Sequence, residues 1–196
     1  IDQSLSRSRV YALLAIGLGF PDRESHAGFS DGELITELQQ ILEICAPDLA
    51  GEFREQIAPR LRLTCSFDDF EAVFLSSFET NMPAPSAALY EGVHVHKDDR
   101  PALILELKGS YRNFGLQMDA KGNELEDTLT AELEFMQFLA AKQAQAEMDG
   151  LSANAYQRAQ RDFLERHLAT WVPLVRAEIN AKVTTQFFVA LADLTE

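Results

Sequence analysis

Cations are scarce in this chain: 17 Lys and Arg stand against 31 Asp and Glu, for a formal net charge of −14. Binding a nucleic acid requires clustered cations to neutralise phosphates, so that class of partner is disfavoured, and so is docking on an anionic lipid surface. Long apolar runs are also missing. The longest, Val10 to Phe20, is about half of the ~20 residues that a membrane span needs. Arg7 and Arg9 just before it imitate the start of a secretory signal, but no A-x-A-like cleavage site follows, and the run reads as a buried first helix. Cysteine is limited to Cys45 and Cys65, whose spacing matches neither a CxxC pair nor a zinc ribbon. Their small number in a chain with a full core favours a reducing cytoplasm over a disulfide framework. No G-x-S-x-G, Walker or dinucleotide fingerprint is present, so nothing points to catalysis.

What remains is a globular balance, 46% hydrophobic and 24% charged over 196 residues, enough for one domain with a real core. The periodicity is helical nearly throughout. Leu5 to Gly19 reads as a first helix stopped by Pro21. The spacing Ser30 to Glu33 resembles a capping box opening a helix through Leu34, Leu38 and Leu42, and Pro47 ends it. Ser66 to Asp69 repeats the pattern before a stripe of Phe70, Val73, Phe74 and Phe78. From Glu79 the stripe breaks, and 80–100 reads as a polar loop and a candidate hinge. Pro101 suits the first turn of a helix through Leu103, Leu107 and Tyr111. Leu129 to Met148 and a segment through Tyr156, Phe163, His167 and Trp171 give two more, the latter bent or restarted at Pro173, and Thr184 to Leu191 gives a last short one. The expectation is an all-α single-domain helical bundle spanning 1–196.

Two metal readings can be tested on spacing. A di-iron bundle needs E-x-x-H pairs on its helices, and the one match, Glu91 to His94, lies in the non-helical loop. His94 and His96, with Glu91, Asp98 or Asp99, could face one Zn²⁺ in an extended segment, which keeps a metal-dependent enzyme as an alternative to an ordinary polar loop. The acids are more informative. Asp119, Glu124, Glu126, Asp127, Glu132 and Glu134 cluster against Lys121 alone. A helix start accommodates such charge, with Asp127 as a cap, but an anionic rim beside exposed aromatics such as Phe78 and Tyr90 would also hold a basic, apolar peptide.

Several segments then carry a resemblance. DTLTAELEFM at 127–136 is similar to the P-D-H-x-x-x-E-L-x-F-M signature of the TorD/DmsD/NarJ family of redox-enzyme maturation chaperones. FLERHLATWVP at 163–173 resembles that family's F-L-x-x-H-L-x-x-W-x-P segment, RVYALLA at 9–15 its first helix, and YRNFGL at 111–116 its Y-x-x-x-G-L stretch. The signature's proline and histidine are replaced by Glu126 and Thr128, so only Asp127 of that triplet carries over. The insert at 94–101 most resembles the branch serving type II dimethyl sulfoxide reductase relatives. The resemblance implies an all-α cytoplasmic chaperone, not an enzyme and without a cofactor of its own. Its partner would be the catalytic subunit of a molybdopterin oxidoreductase, held through its twin-arginine signal peptide until cofactor insertion, with export delayed meanwhile. That peptide is also the cationic partner a net charge of −14 asks for.

Guanidinium forks favour bidentate carboxylates, which makes Asp127 and Glu124 the first candidates. Glu132 is either a ligand or an internal acceptor. Tyr90 and Glu91 match the family's loop aromatic and acid, and Phe78, Tyr90 and Tyr111 are candidates for an apolar groove, with core packing the competing role for Phe78 and Tyr111. Phe135 and Met136 are expected in the bundle core. His167 and Trp171 are expected to be structural, their ring N–H groups meeting buried acceptors. A generic helical adaptor for some other basic partner, and a monomer or a dimer swapped at 80–100, remain open.

Overall fold

A computed structural model describes residues 2–80, 85–95, 98–117 and 125–196. Among these, every named element is helical, and the only β pairing is an isolated antiparallel bridge between Tyr90 and Thr128. The chain runs through α1 (Asp2–Leu18), α2 (Arg23–Asp31), α3 (Glu33–Cys45), α4 (Pro47–Glu52, prolonged by irregular turns to Leu61) and α5 (Phe67–Phe74, prolonged by a π turn to Glu79). The single turn α6 (Glu91–His94) and then α7 (Arg100–Asn113) follow. The remainder is α8 (Leu129–Met148), α9 (Asn154–Phe163), α10 (Ala169–Lys182) and α11 (Gln186–Thr195), with a π turn over Leu164–Leu168 joining α9 to α10.

Local chemistry accounts for most boundaries. Ser66 Oγ accepts from the Asp69 amide and opens α5, Pro101 sits in the first turn of α7, and Gly150 takes φ 67° just past α8. Two expectations shift by one or two residues. The box at Ser30 to Glu33 is not one: Ser30 closes α2, and Gly32, at φ 81°, caps that helix in a left-handed conformation that lets α3 begin at once. The true capping box is Asp22 with Ser25, whose amide is held at 2.9 Å. At the other start, Thr128 rather than Asp127 caps α8, its Oγ1 accepting from the Ala131 amide at 3.1 Å, which leaves the Asp127 carboxylate for other work.

Helix α1 lies along α8 and α3, burying Leu13, Leu14 and Leu18, and α11 sits centrally between α10, α1 and the turns after α4. An aromatic cluster of Phe29, Phe70, Phe74, Phe78, Phe187 and Phe188 fills one end of the core. A second, around Tyr111, Phe114, Phe135 and Phe163, fills the space under α7. Phe135 and Met136 are buried in the bundle as expected. Cys45 and Cys65 are both free thiols. No helix of the described residues is long and apolar enough to cross a membrane.

Part of the stretch read as a candidate hinge, Ala87 to Glu91, is pinned to the bundle. Ala87 donates to the Ser77 carbonyl, Leu129 to that of Leu89, and Glu91 to that of Asp127. Ala87 and Leu89 are buried.

Candidate functional site

Of the acids expected on an open rim, Glu126, Asp127 and Glu132 are inside the protein and Glu134 is exposed, while Asp119 lies outside the described residues. Asp127, Glu132 and Glu91 are each 0% exposed, and Glu126 is 8% exposed. Desolvating that many carboxylates is costly unless each finds donors, and the chain supplies them from three directions. Asp127 receives the Arg100 guanidinium through both oxygens, Nε to Oδ2 at 2.8 Å and Nη2 to Oδ1 at 2.9 Å. The Gly92 amide adds a third bond to Oδ2 at 3.2 Å. Glu91 accepts from His167 Nδ1–H at 3.0 Å, and Glu132 accepts from the Trp171 indole N–H at 3.1 Å. The expectation that His167 and Trp171 meet buried acceptors is met by these two bonds.

The turn α6 is the hub of the arrangement. Its N–H groups point at Asp127, its Glu91 reaches α10's lead-in turn, and its His94 ring stacks on Trp171 at 5.7 Å while donating to the Ala88 carbonyl at 2.8 Å. Gly92 is required here by space: a Cβ would lie 2.7 Å from Arg100 Cγ and 2.8 Å from Asp127 Oδ2. The backbone thus approaches the ion pair as closely as only glycine permits.

Glu132 is the group in tension. Burial pushes its carboxyl well above the usual carboxylate range, and the neighbouring charge of Glu91 reinforces this, against the Trp171 hydrogen bond. Its Oε1 is buried with no donor within reach, as suits a protonated acid beside Glu91. Because the folded state holds this proton more tightly than the unfolded chain, stability falls as pH rises from about 4.3, the ordinary glutamate value, toward the raised folded value. Glu132→Gln removes that slope. The variant is expected to match the wild type near pH 4 and to be the more stable protein by pH 8, as read by urea unfolding across that range. Burial likewise holds the Tyr111 phenol far above its ordinary range, and its hydroxyl donates to the Glu126 carbonyl at 2.8 Å.

The aromatic candidates separate. Phe78 is not exposed: it is 1% accessible and packs at 5.2 Å from Phe74 and 5.0 Å from Phe188. Its place in the stripe with Phe70 and Phe74 puts it on the core face. Tyr90 is half-buried, with the Arg100 guanidinium 5.3 Å from its ring centre. Tyr111 forms part of the wall of an apolar groove of about 260 Å³, together with Leu116, Ala131, Phe135 and Phe138. Gln117, Glu134 and Gln137 line its polar edge. Asp127, Glu91, Glu132, Tyr90 and Tyr111 therefore lie around the start of α8, while Phe78 does not join them. Glu124 and His96 lie outside the described residues. His94 and Asp98 do not assemble a metal site with Glu91, whose carboxylate is buried against His167, and the described residues contain no group of metal-ligating side chains. Arg100, Gly92 and the His94–Trp171 stack were not anticipated. The only sequence signal for Arg100 was its place before Pro101.

The chain is thus an all-α bundle with buried acids gathered at the start of α8. The crystal structure of a redox enzyme maturation protein from Archaeoglobus fulgidus shares the fold, with a TM-score of 0.56 over 96% of this chain and 90% of that one, at 14% identity. Residues 34–177 match the nitrate reductase delta subunit family, and the chain belongs to that family. It is 79% identical over its whole length, and over 88% of the relative's length, to the perchlorate reductase assembly chaperone protein of Dechloromonas aromatica. It is 35% identical to the selenate reductase assembly chaperone protein of Thauera selenatis over 66% of this chain and 68% of that one. The protein is a TorD-like assembly chaperone and not an enzyme.

Proposed function

We propose that this chaperone works in the cytoplasm and binds the twin-arginine signal peptide of a molybdoenzyme catalytic subunit, holding the apoenzyme for cofactor insertion and delaying its export. The perchlorate and selenate reductase chaperones among its relatives favour an oxyanion reductase as client. The observation that carries the reading is the Asp127 carboxylate, which this fold has already shaped around a guanidinium, with both oxygens engaged and an aromatic ring alongside. Guanidinium is the group a twin-arginine motif presents, and bidentate pairing discriminates it from ammonium. The nearby groove walled by Tyr111, Phe135 and Phe138 has the apolar character the rest of such a peptide needs. Glu91 and Glu132 belong to this reading as the acids that seat α6 and α8, with Tyr90 as the ring beside the guanidinium.

The test is titration calorimetry with a synthetic peptide carrying paired arginines followed by an apolar stretch. Asp127→Asn keeps the shape and removes the charge, and is expected to weaken binding by about 1.5–3 kcal/mol, the value of a charge-assisted hydrogen bond. Unchanged affinity in a natively folded variant would remove Asp127 from the site. Binding should also weaken as salt is raised.

A further inference from the structure

We propose that Arg100 is an internal stand-in for the client's arginine: it closes the Asp127 site in the free chaperone and is displaced when a twin-arginine peptide binds. This rests on the signal-peptide reading above and adds a regulatory step to it.

The geometry of the pair supports displacement rather than a purely structural tie. Asp127 is wholly buried, but Arg100 is not: 36% of its side chain remains exposed, so the carboxylate is sealed from solvent on that side by a guanidinium in contact with water. Among the described residues that guanidinium makes no hydrogen bond other than those to Asp127. Its other neighbour is the Tyr90 ring, an interaction any arginine could reproduce. Arg100 also begins α7, where the helix dipole disfavours a cation, so the carboxylate and not the helix holds it there. Farther along α7, Lys108 Nζ lies 3.1 Å from Glu126 Oε1. Two consecutive acids, Glu126 and Asp127, are thus each answered by a cation of α7. The helix itself is anchored independently by buried Leu103, Leu107 and Tyr111, so the Arg100 side chain can swing outward while α7 stays in place.

An internal competitor lowers apparent affinity by the fraction of time it occupies the site. Removing it should therefore tighten peptide binding, whereas removing a structural support should loosen it. Calorimetry would compare wild type, Arg100→Ala and Arg100→Lys, using the paired-arginine peptide and a paired-lysine counterpart. The expected result is about tenfold tighter binding of the arginine peptide by Arg100→Ala, with Arg100→Lys in between because an ammonium fills the site less well. The lysine peptide should gain much less. If Arg100→Ala fails to fold with its carboxylate unpaired, the lysine variant alone decides. Equal or weaker binding by a variant with native circular dichroism overturns the stand-in role and leaves the signal-peptide reading intact. Failure of wild type and folded variants alike to bind the arginine peptide overturns both.

Discussion

Trp171→Ala is expected to destabilise the protein by about 3–5 kcal/mol, measured by urea unfolding followed with circular dichroism. Trp171 is fully buried, so its removal opens a cavity that the surrounding helices can only partly fill. Two further losses accompany the cavity. Glu132 forfeits its indole donor, leaving both oxygens of a buried carboxyl without that support, and His94 loses the ring it stacks on. Trp171→Phe separates the contributions. It retains most of the apolar area but not the N–H, and is expected to cost about 1–3 kcal/mol, the penalty for leaving a buried acceptor unmade. A phenylalanine variant as unstable as the alanine variant would mean that the hydrogen bond to Glu132, not packing, dominates at this position.

Asp127→Ala is expected to lower stability by about 2–4 kcal/mol in the same assay. Breaking a fully buried ion pair costs more, but Arg100 is partly exposed and regains water when its partner goes, which trims the penalty. The Gly92 amide has no such relief, since it is buried within α6. The loss should be local in its first effects: the backbone bond from Glu91 to the Asp127 carbonyl and the Tyr90–Thr128 bridge lie within two residues of the deleted carboxylate. Hydrogen exchange at Glu91, Gly92 and Val93 should accelerate before that of α8. Uniform acceleration across the bundle would show instead that α6 and the core unfold as one unit.

The frame of the bundle could be read from residue patterns because its determinants are local. The helix Leu129–Met148 appeared with the expected bounds, since its stripe and the Asp149-Gly150 stop are both contained within the segment. Ser66 and Pro101 announced their helix starts, and Pro47 the end of α3, for the same reason. Helix α6 escaped because a four-residue turn containing Gly92 has no stripe; it exists through bonds to Asp127, 35 positions away. Asp127 itself was singled out, yet as a helix cap or a surface acid, and it is buried. Nothing near it in sequence announces Arg100, which lies 27 residues earlier, across a polar loop. Phe78 shows the opposite error: its helical stripe already argued for the core, and the search for an apolar groove drew it outward. Charge density along a chain therefore locates a cluster of acids without saying whether solvent or another helix neutralises it.

The chain contains a single tryptophan, and it stands against α6. Any event that lifts α6 from the bundle separates the Trp171 indole from the His94 imidazole and lets water reach a ring that is otherwise wholly enclosed. The emission of the unlabelled protein should then shift to longer wavelength. The chaperone thus contains its own optical gauge of whether the segment beside Asp127 is closed or raised, with no second indole to obscure the signal.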